Sequence, residues 1–347
     1  MFYDPLCPAP YTLQTLESQA LGGSEASAVR IAEALDACVM QHCRQTSAGR
    51  YRAPSPEPRA EHVVLLRDAR ALGGIRHWFP NARFHVWLHD RLAPGSTRAR
   101  WLAQAGDQLA GGTLICVSDF LRLKVEAVVR GLRGLADVEV RRIYNPIDDA
   151  LAPGTAPVDH DKMVFLSSPN KGLNYALTAF AAMRRAFPSL RLYVANPGYR
   201  HAPTPAQPNV VWVGRLTPAQ TMDLARSAHC VFMPNFVLPE TFGLVFAEAN
   251  AVGTPVLAHD SGAAREVLHA DNPVLPVLAR QRCLAQVLRV SGWRARQAMA
   301  FAGLHCGAFD DYIELLAHWR NAGRPSVAAS PQFRLSRVAN EWRALLR

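Results

Sequence analysis

Glu240 and Glu248 lie in one stretch, PNFVLPETFGLVFAEANAVGTPVLA from Pro234 to Ala258, and its pattern gives them different work. A strand reads up to Met233 and a loop then carries Glu240. A helix begins near Phe242, runs through Glu248 and ends at Gly253, and the next strand follows Pro255. A carboxylate in a loop beyond a strand end can accept hydrogen bonds from a ligand. The face on which Glu248 lies depends on where the helix starts. The turn Thr241-Phe242-Gly243-Leu244 offers main-chain N–H groups at a helix amino end, a natural phosphate site. Gly243 has no side chain to keep a ligand from the backbone.

Three further groups have types and positions suited to chemistry. Lys171 follows Leu166-Ser167-Ser168-Pro169-Asn170, between a strand and a helix, where a cation neutralises a departing diphosphate. Gly22 and Gly23 open the first long helix, with Ser24 as the expected N-cap, and free the backbone to meet a phosphate or an acceptor. His89 and Asp90 end the run Phe84 to Asp90 (FHVWLHD), just past a strand, where ligand-facing residues belong; a lone histidine there can equally be structural. Several patterns are absent or set aside. Asp159-His160-Asp161 is formally a D-x-D metal motif, but it falls in an expected linker and reads as surface. There is no G-x-S-x-G elbow, no G-x-G-x-x-G after a strand and no P-loop. No metal ligand set and no cofactor are expected.

The elements that must hold these groups alternate strand with helix, which predicts parallel sheets with helices on their faces. In the first half, Gly22 to Ala37 reads as a helix, Arg44 to Glu61 as a Pro-rich loop, and His62–Leu66, Phe84–Leu88 and Leu114–Val117 as strands. Ala150 to Lys162 breaks the pattern as a linker. In the second half, strands at Met163–Leu166, Leu190–Ala195, Val210–Val213, Cys230–Met233 and Thr254–Ala258 surround helices at Leu173–Ala186 and after Thr217-Pro218. A final helix spans Phe333 to Leu346. The expected fold class is α/β: two Rossmann-like, doubly wound domains facing a central cleft, residues 1–150 and 155–325. The terminal helix, 331–347, packs back on the first. Ligands of such sheets bind beyond the carboxyl ends of the strands.

With 347 residues, 49% hydrophobic and 19% charged, the chain has material for two cores and not the composition of a disordered protein. A net charge of +10 favours anionic partners without choosing among them. The basic residues are dispersed, so nucleic acid is not an expected partner. Arg76, Arg83, Arg91, Arg98 and Arg100 are compatible with an anionic lipid head group and equally with a solvated face. The seven cysteines (Cys7, Cys38, Cys43, Cys116, Cys230, Cys283, Cys306) are scattered, which fits a reduced cytoplasmic protein. The first ten residues lack the basic stretch and apolar run of a signal peptide, and no apolar run approaches the length of a membrane span.

The stretch from Glu240 to Glu248, with the following Gly-Thr-Pro-Val and the later Gly262 and Glu266, resembles the E-x7-E signature of the family-4 retaining glycosyltransferases, which have the two-Rossmann-domain GT-B fold. The resemblance implies transfer of a hexose-like sugar from a nucleoside-diphosphate sugar to a hydroxyl of a sugar or glycolipid acceptor. It further implies retention of configuration and no catalytic metal. It implies that Glu240 holds the donor sugar, that Glu248 accepts hydrogen bonds from the ribose, and that the amides of Phe242 to Leu244 meet the sugar or diphosphate. Lys171 is similar to the lysine of that family's phosphate clamp, but Ser167 and Ser168 stand where the family has Gly-Arg, so one cation is missing. Arg215 and Leu216 resemble a loop near the base, Gly22-Gly23 the amino-terminal glycine loop, and His89 a histidine that meets the donor sugar. Ser118 and Asn145 also resemble family landmarks and read as structural. The setting implied is bacterial polysaccharide, lipopolysaccharide or glycolipid synthesis in the cytoplasm, including the inner face of the membrane. Two rivals remain. One keeps the fold and makes the chain a nucleotide-sugar epimerase or a phosphorylase. The other makes it a non-catalytic partner of a second glycosyltransferase.

Overall fold

The computed structural model describes residues 1–195, 206–290 and 307–347; Cys306 lies outside them. The chain divides into two compact units. Met1–Leu16, Leu21–Asp149 and Pro331–Arg347 form one, and Ala150–Ser330 with the short stretch Glu17–Ala20 forms the other.

In the first unit seven parallel strands lie in the order Tyr51–Arg52, Val39–Gln41, Phe2–Asp4, His62–Leu66, Arg83–Leu88, Thr113–Cys116, Glu139–Arg142. The order reverses between Phe2–Asp4 and His62–Leu66. The central strands are buried on both faces, which is why they read as unbroken apolar runs rather than alternating ones. The terminal helix, Leu335–Leu345, belongs to this unit. Its Trp342 is fully buried with ring centroids 5.4 Å from Phe2 and 4.8 Å from Trp87. The chain is delivered there by a bridge between Ile147 and Arg334.

In the second unit the strands run Val210–Gly214, Arg191–Ala195, Asp159–Phe165, Ala228–Met233, Val256–His259, Val274–Leu275, all parallel. The order here reverses between Asp159–Phe165 and Ala228–Met233. The helix Leu173–Ala186 turns Leu173, Ala176, Leu177, Phe180 and Met183 into the core, with Arg184 and Arg185 in the last turn opposite the negative end of its dipole. Thr217 caps Pro218–Arg226 in a reciprocal capping box with Gln220.

The expected Pro-rich loop Arg44 to Glu61 contains the strand Tyr51–Arg52, and three other differences from the sequence expectation bear on the candidate sites. Gly22, not Ser24, is the N-cap of the first long helix, which spans Gly23–Ala34. The second unit's first strand begins at Asp159, so Asp159-His160-Asp161 is strand rather than linker. The strand accommodates these charges because each is matched within the fold: Asp159 to Arg191 and Asp161 to Arg320, both at 2.7 Å. The helix after Glu240 spans Leu244–Ala251, starting two residues later than expected because Gly243 takes a left-handed conformation, φ +89°.

Candidate functional site

The order reversal in the second sheet brings together the loops that follow its first and fourth strands, where open parallel sheets bind ligands. The first loop carries Lys171 and the second carries Glu240. Lys171 Nζ donates to Glu240 Oε2 at 2.7 Å. The Glu240 side chain is only 8% exposed and that of Lys171 37%, so the pair is sunk at the carboxylate and open at the ammonium. Glu240 Oε1 is buried and finds no hydrogen-bond partner among the described residues. A buried carboxylate oxygen without a donor carries a desolvation cost that a ligand hydroxyl would remove.

The two loops interlock through small residues. Gly172, φ +91°, lies where a side-chain carbon would touch Asn235 at 3.4 Å. Asn235 is buried and holds its own loop, donating to Leu238 O at 2.7 Å and accepting from Leu238 N at 3.2 Å. A third loop, after Val256–His259, clamps Glu240 from behind: Ala263 N donates to Glu240 O at 3.0 Å. Gly262, φ +70°, sits so close that any side chain would collide with the Glu240 backbone. Glu240 is thus fixed by its main chain as well as by its ion pair.

Beyond Glu240 the chain turns into the helix Leu244–Ala251, whose N-cap Gly243 offers no side chain to the first amides. Phe242 is buried, so it would meet a ligand only through its backbone, while Thr241 is half-buried. The late helix start settles the face of Glu248. It lies one turn from Leu244 and three residues from Val245, and all three are half-buried while Phe246, Ala247, Ala249 and Asn250 face the core. Beneath the loops runs a buried polar chain that the sequence did not announce. His259 Nδ1 lies 3.1 Å from Pro276 O, an acceptor only, so Nδ1 carries the proton and Nε2 accepts from the Tyr312 hydroxyl. The Tyr312 hydroxyl lies 3.4 Å from that of Tyr175, in the helix that follows Lys171. Phe236, in the Glu240 loop, packs edge-on against both Tyr175 and His259. Burial holds the His259 pKa below its usual value.

The other expected residues are placed less centrally. Ser168 is buried and its hydroxyl donates to Asn170 Oδ1 at 2.6 Å, so it shapes the loop. Arg215 and Leu216 follow Val210–Gly214, the edge strand, with Arg191–Ala195 between it and the reversal point. Among the described residues no cluster of histidine, cysteine, aspartate or glutamate is arranged to hold a metal ion.

Gly22, Gly23 and His89 belong to the first unit, whose reversal point has its own charged centre. Asp4, fully buried, accepts from Leu6 N at 3.0 Å, the Tyr11 hydroxyl at 3.1 Å and Arg67 Nη2 at 3.0 and 3.1 Å. Arg67 adopts a left-handed φ of +67° and also pairs with Glu25 at 2.9 Å. The Glu25 carboxylate folds over Gly22, so the structure sets an anion of the chain's own at the amino end of that helix. His89 is buried at the end of Arg83–Leu88 with its ring 4.7 Å from Trp87. Burial, reinforced by the nearby Arg67 charge, holds its pKa well below the usual histidine value, so the imidazole is neutral. Of the arginines considered for a lipid surface, Arg76 donates to Gln108 O at 2.9 Å and Arg98 pairs with Asp90 at 2.8 Å, so both serve the fold. Among the described residues no helix is long and apolar enough to cross a membrane.

Two doubly wound parallel-sheet units in one chain, the second with a lysine–glutamate pair at its reversal point, define the GT-B class of fold. Within the second unit, residues 163–274 match the family described as Glycosyl transferases group 1. The chain is 29% identical over 209 residues to a D-inositol 3-phosphate glycosyltransferase of Segniliparus rotundus, covering 54% of this chain and 46% of that protein. The match therefore spans less than half of that relative's length. Among solved structures, sucrose-phosphate synthase from Thermosynechococcus elongatus superposes with a TM-score of 0.62 at 14% identity, covering 99% of this chain and 97% of that one. HepE of Anabaena, crystallised with UDP and glucose, does so with a TM-score of 0.59 at 18% identity, covering 100% and 99%. At these identities the structural likeness speaks for the fold.

Proposed function

We propose that the protein is a retaining glycosyltransferase that moves a hexose-type sugar from a nucleoside-diphosphate donor to an acceptor hydroxyl, with the donor on the second unit. The observation that carries this reading is the Glu240 carboxylate: one oxygen on Lys171 at 2.7 Å, the other buried with no hydrogen-bond partner among the described residues, beside a helix start with no side-chain cap. A sugar hydroxyl donates to Glu240 Oε1. The diphosphate lies against the amides from Phe242 to Leu244 and the exposed Lys171 ammonium, and Glu248 accepts from the ribose. Thr241, Arg215 and Leu216 complete the donor contacts on the second unit. A crystallised fold neighbour that holds UDP and glucose, and a relative named for glycosyl transfer, support the donor class.

The reaction breaks the bond from the anomeric carbon to the diphosphate oxygen and forms one to the acceptor oxygen on the same face. The acceptor proton passes to the leaving diphosphate oxygen. Lys171 and the helix amides stabilise the charge that gathers on that oxygen, the term that electrostatic catalysis supplies in a site of this kind. No cofactor and no metal enter. The acceptor, a sugar or a glycolipid, falls to the first unit, and the setting is bacterial polysaccharide, lipopolysaccharide or glycolipid synthesis in the cytoplasm or at the inner membrane face. The test is product analysis with a panel of labelled UDP-, GDP- and ADP-sugars and lipid or sugar acceptors. Transfer gives a new glycoside with the donor's anomeric configuration. A new nucleotide sugar, or a requirement for inorganic phosphate, would replace this reading with an epimerase or a phosphorylase.

A further inference from the structure

Cys7 and Cys43 are distant in sequence and share no motif, yet the first unit brings their sulfurs to 2.8 Å. Cys7 follows the strand Phe2–Asp4 and Cys43 follows Val39–Gln41, its parallel neighbour, so both lie at the carboxyl edge of the sheet. The Cys43 amide donates to Cys7 Sγ at 3.3 Å, which orients the two side chains toward each other. The approach is not a chance of two loose loops. His42 N donates to Asp4 O at 3.0 Å. Gln41 and Tyr11 exchange two hydrogen bonds, at 2.7 and 3.2 Å, and Arg44 Nη2 reaches Tyr11 O at 3.3 Å. The loop from Asp4 to Tyr11 is thus already held against the turn from Gln41 to Arg44 on both sides of the sulfurs. Closing 2.8 Å to the roughly 2.05 Å of a disulfide needs less than 1 Å of movement.

We propose that Cys7 and Cys43 form a reversible intramolecular disulfide, an oxidative modification site at the carboxyl edge of the first sheet. The two thiols have distinct roles. Cys43 is partly exposed and meets the oxidant, while Cys7 is buried and resolves. The oxidant is a low-molecular-weight disulfide. The Cys43 thiolate attacks one of its sulfurs, forming a mixed disulfide and expelling the first small thiolate. The Cys7 thiolate then attacks Cys43 Sγ, forming the protein disulfide and expelling the second. Two electrons pass from the protein sulfurs to the small disulfide, and the two thiol protons leave with the released thiolates. Burial pushes the Cys7 thiol up to about 12, so closure follows the first exchange and does not start the reaction. The bond fixes the loop that carries Asp4 and Tyr11, and with it the Arg67 ion pairs at that unit's reversal point.

The test treats the full folded chain with oxidised glutathione, quenches it in acid and maps it without reduction. Trypsin releases Cys7 in the peptide Met1–Arg30, and Cys38 and Cys43 in Ile31–Arg44. The expected result is conversion of most of the two peptides to one linked species, about 2 Da lighter than their sum. Linkage should persist in Cys38→Ser and reverse with dithiothreitol. In Cys43→Ser the Met1–Arg30 peptide should stay unlinked, while the exposed Cys283 still takes up glutathione as an internal control. Glutathione on Cys43 with no link to Cys7, or a link from Cys7 to Cys38, would overturn the proposal.

Discussion

Lys171 and Glu240 stand 69 residues apart in sequence and 2.7 Å apart in space, joined across the point where the second sheet reverses its strand order. An ion pair this buried on its acidic side is costly unless both partners remain. Lys171→Ala should therefore lower stability by about 1–2 kcal/mol, discounted for the exposure of the ammonium. Lys171→Ala combined with Glu240→Gln should recover most of that loss, since no uncompensated charge is left. Neither variant should recover activity. Donor turnover should fall by about two to three orders of magnitude in both, as removal of a charge-stabilising group does elsewhere. Thermal unfolding beside donor hydrolysis separates the effects. Activity that returned with stability would make the pair purely structural.

Gly262 should matter more than its size suggests. Its φ of +70° disfavours any side chain, and the added atom would strike the Glu240 backbone. Gly262→Ala should lose about 1–3 kcal/mol of stability and lower kcat/KM beyond what the remaining folded fraction explains. Gly253→Ala is the control: φ is +76° and the contact there is Pro153, so stability alone should fall.

Acid should unfold both units from the amino ends of their sheets. Burial, with His62, Arg83 and the terminal amine nearby, holds His85 at about 4. Burial, with His160, Arg324 and Arg320 outweighing the opposing Asp161, holds His229 at about 4. Both are neutral when folded and take a proton first when unfolded, from about 6.5 downward. The contribution of these two histidines should thus be flat above pH 6.5 and decline as pH falls from there toward 4. Melting temperature measured across that range should drop less in the His85→Gln, His229→Gln double variant than in the parent.

Tyr312→Phe should leave His259 Nε2 buried without its donor, at a cost of about 1–3 kcal/mol. Because Tyr312 supports the helix after Lys171 and the loop of Glu240, donor KM should rise as well. A change in melting temperature with KM untouched would confine Tyr312 to the core.

The strands were legible because a parallel sheet buries both faces, so His62–Leu66 and Ala228–Met233 print as apolar runs. Asp159 to Lys162 hid a strand because charges at its start are paired sideways to Arg191 and Arg320, which no local pattern reveals. Lys171 and Glu240 were found by residue type and position after strands. What the sequence could not convey is who touches whom: the clamp of Gly262 on Glu240, the Tyr175–Tyr312–His259 chain and the meeting of Cys7 with Cys43 join segments by tertiary folding alone. The left-handed Gly243 was likewise invisible, and it decided both the helix start and the face of Glu248.

The most direct measurement is calorimetric titration of UDP-, GDP- and ADP-sugars into the full chain and into Lys171→Ala and Glu240→Gln. One donor should bind the parent saturably, and its Kd should weaken at least tenfold, about 1.4 kcal/mol, in each variant. Equal affinity in all three proteins, or no binding of any donor to the parent, would contradict the site.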